Sequence, residues 1–483
     1  MASADHSTSR LDALAAGLAS LLRSRFGSEV RIEGMQRLSS GASRQTFAFS
    51  AVPNPGAEPV ELILQRAQGA SGSGALPMAT EAELLERAAR AGVPVPDLVA
   101  AGASDGALGV PCLVTARLPG EALPTRLFRD DRYATGVSRL TGDAAAALAA
   151  IHRIDTAALD IASVEDPVAS YRSVLDFLGE SRPVLELTSR WLAANRPPAT
   201  AGGHRVVHGD FRLGNLLVDD TGLRAVLDWE LAHLGDPLED LGWSMIRAWR
   251  FDAVRPLGVF PDREPWIGAY EAAAGLAVDR AALAWWEIAA TFRWAVICLV
   301  QAHRHLDGQT GSVELATIGR RVFECEWDLL GLLASSDPMF ADTRPGSADD
   351  GPPASDDLRL AGGPASVLPP ADLHGTSTMA VLVEAVRDLL AGPLTEATSG
   401  SIRHQARVAV NALGIVAREL ELGPQQETAH RERLAELGVR SDAELAAAIR
   451  DGLAVDAALV RLLAADTRDR LSVANPAWLT ADG

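Results

Sequence analysis

The chain contains no lysine; all 44 basic residues among its 483 are arginines. On a solvated face the two residues are nearly equivalent, but chemistry that elsewhere uses an ammonium group must here use a guanidinium or do without. Cysteine is almost as scarce. Cys112, Cys298 and Cys325 lie far apart with no ligand-spaced pair, which argues against a disulfide framework or a zinc site and points to a reducing, cytoplasmic setting. The densest apolar run, Trp294 to Val300, is far short of the roughly 18 residues a membrane span needs, so no membrane partner is expected. The first residues include an acid and a histidine before an amphipathic leucine pattern, which reads as an ordinary helix rather than a secretory signal. The net charge of −19 lacks the basic face that phosphate contacts require, so no nucleic-acid partner is expected either.

The 48% hydrophobic and 22% charged residues describe a globular chain, and its length suggests roughly three folding units at about 150 residues each. Residues 336–371 are rich in Pro, Gly, Ser and Asp and have no periodic apolar face, so a disordered linker is expected there. Ahead of it, strand-like runs at 29–37, 44–51, 59–66 and 112–116 and a helix over 80–91 give way to a mostly helical pattern, interrupted by two short strands around Asp219-Asp220-Thr221-Gly222. This order suggests one two-lobed region over 10–335, a small β-rich lobe at 10–118 followed by a larger helical lobe at 119–335. Residues 372–483 read as all helix, with Gly423-Pro424 as a break.

The most informative segment is His208-Gly209-Asp210-Phe211-Arg212-Leu213-Gly214-Asn215, followed after the hairpin by Asp228-Trp229-Glu230. Phosphoryl transfer needs a carboxylate beside the attacking hydroxyl and oxygen ligands that hold Mg²⁺ on the phosphates. An aspartate with an asparagine five residues later places both on one loop, and an aspartate after the next hairpin supplies another metal ligand.

This constellation resembles the aminoglycoside phosphotransferase family of the protein-kinase-like superfold, especially the bacterial branch related to the kinase-like region of acyl-CoA dehydrogenase fusion proteins. The run 207–243, including Ala232-His233-Leu234-Gly235-Asp236-Pro237, carries the likeness. The resemblance implies an α+β, two-lobed protein-kinase-like fold with a small β-rich N-lobe and a helical C-lobe, followed by a separate all-α domain. It implies Asp210 as catalytic base or hydroxyl-positioning residue, Arg212 as a phosphate-side cation, Asn215 and Asp228 as Mg²⁺ ligands, and Asp240 as a brace for the catalytic loop. ATP or GTP would be the donor and a small-molecule hydroxyl the acceptor, a hydroxylated acyl thioester being favoured.

Upstream, Ser40-Gly41-Ala42-Ser43 stands where the family has a Gly-Gly-x-Ser phosphate loop, so Gly41 and Ser43 are the candidate phosphate contacts. The third strand, Leu62-Ile63-Leu64-Gln65-Arg66, is ambiguous: alternation lets Gln65 or Arg66 face inward, not both. The family's Leu-Arg pairing maps onto Leu64-Gln65, whereas the need for a cation favours Arg66, with Glu81 as its helix partner. The run 112–120 stands at the hinge that binds the base through backbone groups. Two rivals remain: a kinase-like binding protein without turnover, and an antibiotic-modifying phosphotransferase. The last helices resemble a bacterial domain of uncharacterised function, in 408–422 and 473–478.

Overall fold

Phe47, Phe49 and Ala51 alternate with polar or small residues, so one face of this strand is apolar and must be covered. In the computed structural model, which describes residues 2–40, 44–67, 75–200, 203–250, 263–343 and 379–480, the cover is α1 (Ala2–Phe26). Its Leu14, Leu18 and Leu22 pack with Phe47, Phe49, Leu62, Leu64, Cys112 and Val114.

The sheet under α1 contains β1 (Arg31–Ser40), β2 (Arg44–Val52), β3 (Val60–Ala67), β4 (Leu98–Gly102) and β5 (Cys112–Ala116), in the order β1-β2-β3-β5-β4, every neighbouring pair antiparallel. Helix α2 (Met78–Arg90) enters between β3 and β4 with Glu81 in its first turn, where a carboxylate suits the helix dipole. Short α3 (Pro124–Leu127) and α4 (Ala134–Ile151) follow. Then come β6 (Arg205–Val207) paired with β9 (His233–Gly235), and the hairpin β7 (Leu216–Val218) with β8 (Leu223–Val226).

By compactness the chain divides into two units: 1–165 with 198–283, and 166–197 with 284–483. The first contains the strands together with α7 (Leu238–Met245) and α8 (Arg263–Ala274). Among the described residues, the regular elements of the second are all helices. It holds α5 (Pro167–Leu178), capped by Asp166 on the Ala169 N–H and closed by left-handed Gly179, and α6 (Pro183–Ala194). Helix α9 (Arg280–Leu306), with 27 residues, is long and apolar enough to cross a membrane by composition, yet it is mostly buried within the fold, as a core helix is. Helices α10 (Val313–Gly319) and α11 (Val322–Ser336) follow. Later come α12 (Met379–Leu389), α13 (Thr395–Ala397), α14 (Gly400–Glu436), α15 (Asp442–Arg450), α16 (Ala457–Ala474) and α17 (Ala477–Thr480).

Two expectations change. The start of the expected linker is packed: residues 338–343 form a 3-10 turn with Phe340 buried, and Trp191 Nε1 donates to Asp337 Oδ2 at 3.1 Å. Its remainder, 344–371, lies outside the described residues. Nor does Gly423-Pro424 break the chain, since α14 runs through Pro424 as one helix of 37 residues. A proline there removes one N–H, the partner of the Leu420 carbonyl. Past it, Gln426 Nε2 holds Ser472 Oγ of α16 at 2.9 Å.

Candidate active site

Strand β6 delivers the chain to His208, whose ring is fully buried. Its Nδ1 accepts the Asp210 N–H at 3.2 Å and its Nε2 lies 3.1 Å from the Leu227 carbonyl. Those partners select the neutral tautomer with hydrogen on Nε2. Burial pushes the imidazole below its ordinary pKa, against the pull of Asp240 and Asp210. One ring thus joins the loop of Asp210 to the residue preceding Asp228.

Asp240, in the first turn of α7, braces the same loop, as the sequence implied. Its Oδ2 accepts the His208 N–H at 2.8 Å and its Oδ1 the Gly209 N–H at 2.9 Å. His152 Nε2 reaches Oδ2 at 3.2 Å, and His152 Nδ1 meets the Tyr270 hydroxyl at 2.8 Å. Burial alone would raise this carboxyl; the His152 bond and, after it, the His208 N–H hold it below the usual carboxylate range. Gly209 has a φ of +78°, and a Cβ there would lie 2.3 Å from the Leu231 carbonyl oxygen, so the position requires glycine.

Asp210 is held by three side chains. Oδ1 accepts from Arg212 Nε at 2.9 Å and Trp243 Nε1 at 2.8 Å; Oδ2 accepts from Asn215 Nδ2 at 2.6 Å. Arg212 also donates from Nη1 to the Leu213 carbonyl at 3.0 Å and lies over the Trp249 ring. Here the guanidinium clamps Asp210. Trp243 was not found from sequence, because nothing in a lone indole on a helix marks it as the partner of a carboxylate in an earlier loop.

Asn215 and Asp228 both line a cavity of about 400 Å³, with Thr46, Ile63, Gln65, Glu81 and the hinge residues Thr115 to Leu118. Asn215 spends its amide donor on Asp210, taking in the main-chain oxygen as well at 2.9 Å, so its Oδ1 lone pairs are not used in that contact. Asp228 sits at a left-handed φ of +64°. Burial first, then Glu230 and Asp210, push its carboxyl up to about 7. Such crowding of acids fits a divalent cation, which would stabilise the charged form of the carboxyl.

The strand register corrects the expected phosphate cation. Gln65 pairs with Thr46 and Leu113, and it lines the cavity. Arg66 pairs with Gln45 and Cys112; it therefore shares the face of Cys112, Leu64 and Leu62, which α1 covers. The partner of Glu81 is Arg44 of β2, Nη2 to Oε2 at 2.6 Å. Arg44 Nε also meets Glu230 Oε2 at 3.0 Å. Gly41 and Ser43 lie outside the described residues.

The model of the phosphotransferase enzyme family (APH) matches residues 34–286, just over half of the 483, and that of a domain of unknown function (DUF6285) matches 396–478. The chain is 27% identical to acyl-CoA dehydrogenase family member 10 of Mus musculus over 285 residues, 51% of this chain and 25% of that one. With acyl-CoA dehydrogenase family member 11 of Homo sapiens it shares 40% over 70 residues, 14% of this chain and 9% of the other. It thus spans at most about a quarter of these relatives. A choline/ethanolamine kinase family protein from Mesorhizobium loti is similar at 18% identity and a TM-score of 0.43, over 64% of this chain and 90% of that structure.

Proposed function

The chain belongs to the phosphotransferase enzyme family, and from that footing we propose that it is a small-molecule kinase, moving the γ-phosphoryl group of ATP or GTP to an acceptor hydroxyl. The observation that carries this reading is the convergence of Asp210, Asn215 and Asp228, with Asn215 bonded to Asp210 and both Asn215 and Asp228 on the cavity wall. A carboxylate offers about four acceptor positions. Three are taken on Asp210, so one on Oδ2 remains to align the acceptor hydroxyl and receive its proton. Asn215 Oδ1 and the Asp228 carboxylate would hold Mg²⁺, which when bound neutralises charge on the β- and γ-phosphates. The backbone of Thr115 to Leu118 would receive the base. Arg212, drawn onto Asp210, keeps that carboxylate in place and adds positive charge on the side of the transferred group.

The match to acyl-CoA dehydrogenase family members puts hydroxyacyl thioesters first among acceptors to try. Gln65 at the cavity wall, where a cation is expected, favours one second reading: a nucleotide-binding protein without turnover. The test is transfer of labelled γ-phosphate to a panel of hydroxyacyl-CoA, amino-alcohol, sugar and aminoglycoside acceptors in the presence of Mg²⁺. A labelled product is expected. Tight nucleotide binding with no product across the panel would support the second reading.

A further inference from the structure

We propose that Arg44, supplied by β2 rather than β3, holds the nucleotide phosphates in this chain, taking over the task that Gln65 cannot perform. The inference rests on the kinase reading above. Arg44 lies two residues before Thr46 on β2 and so shares its face, and Thr46 pairs with Gln65 and lines the cavity. The guanidinium therefore comes from the strand beside the vacant position and on the same side of the sheet. It is 7% exposed.

Its bonds leave one edge unused. Nη2 meets Glu81 and Nε meets Glu230, whereas Nη1 has no hydrogen-bond partner among the described residues. A buried guanidinium N–H without an acceptor is costly, and a phosphate oxygen is the acceptor that a nucleotide brings. The planar fork allows this division, two donors on carboxylates and a third on phosphate, where a lysine offers a single point of charge. Glu230 stands two residues after Asp228, and its carbonyl receives the Leu76 N–H at 2.6 Å just ahead of α2. The Arg44 guanidinium thereby joins β2, α2 and the loop of Asp228.

The test is equilibrium binding of the full chain to adenosine and guanosine and to their Mg²⁺ diphosphates. Arg44→Gln is expected to weaken the diphosphates about tenfold to a hundredfold, the range for a charged hydrogen bond, and to leave the nucleosides unchanged. Adding Gln65→Arg should restore most of that loss, because position 65 faces the same cavity. Should Arg44→Gln not fold, the pair Arg44→Gln with Glu81→Gln removes the stranded acid as well and carries the same readout. Equal losses on nucleoside and diphosphate, or no loss on either, would overturn the proposal and make Arg44 a structural brace. A wild-type chain that binds no nucleotide in either series would instead overturn the kinase reading, and this inference with it.

Discussion

Asn215 donates to Asp210 at two points, to the carboxylate Oδ2 at 2.6 Å and to the main-chain oxygen at 2.9 Å. The residue expected to hold the metal is thus bonded to the residue expected to take the proton, and neither can be moved without the other.

Replacing the amide with an acid tests that bond. Asn215→Asp puts a carboxylate against Asp210 and removes both donors, so Asp210 loses its alignment while the metal site keeps an oxygen ligand. Transfer is expected to fall at least a hundredfold, with metal-nucleotide affinity changed less. A γ-phosphate transfer assay beside a binding titration reads the two effects. Asn215→Asp activity near wild type would mean that the bond is incidental.

Trp243 offers a milder change. Trp243→Phe keeps an aromatic ring in the buried site but deletes the N–H that meets Asp210 Oδ1. A hydrogen bond to a charged group contributes about 1.5–3 kcal/mol, so kcat is expected to fall about tenfold to a hundredfold. KM for nucleotide should hold, since the indole N–H is spent on Asp210 and on no group assigned to the nucleotide. A rise in KM with unchanged kcat would contradict the assigned role.

Gly209→Ala is expected to be severe. The substitution meets both a left-handed φ and a carbonyl oxygen at 2.3 Å, and strain of this kind costs on the order of 1–3 kcal/mol before any clash is counted. Melting temperature and transfer activity should fall together. Wild-type melting would show that the loop relaxes freely.

The helical unit has its own pH signature. His430 Nδ1 lies 2.8 Å from Asp466 Oδ2, and that hydrogen bond raises the imidazole above its ordinary value, with burial opposing it and Asp466 and Asp442 adding their charge. For a base raised in the folded state, the stabilisation is complete below the unfolded pKa of about 6.5 and disappears as pH climbs through the folded value. Wild type should therefore exceed His430→Gln in unfolding free energy most at about pH 6, and the gap should close under alkaline conditions. A gap that widens with pH would refute the assignment.

The placing of the candidate loop beside the hairpin was legible because its residues are contiguous: Asp210 and Asn215 lie five positions apart, and the hairpin that leads to Asp228 has its own turn residues. Strand β5 matches its expected bounds, 112–116, and β7 pairs with β8 about Asp219 to Gly222 as expected, for the same local reason. What escaped was set by pairing between distant segments. Which of Gln65 and Arg66 faces the cavity depends on a register that alternation alone leaves two-fold. Arg44 is an ordinary arginine until β2 and α2 bring it to Glu81. Strands β6 and β9, three residues each, are too short to show a period. Pro424 looks like a stop only if its local cost is weighed without the packing of α14 on α16.

Asp228 has a further implication. Its left-handed backbone and a carboxyl crowded by other acids are both unfavourable for folding. Asparagine tolerates that backbone and carries no charge, so Asp228→Asn is expected to melt at a higher temperature than wild type while losing Mg²⁺-dependent transfer. The residue on which activity would depend is one that selection for robustness alone would discard. An aspartate kept there across a lineage would record selection for turnover, and a descendant relieved of that duty would be free to drift toward a hardier, inert form.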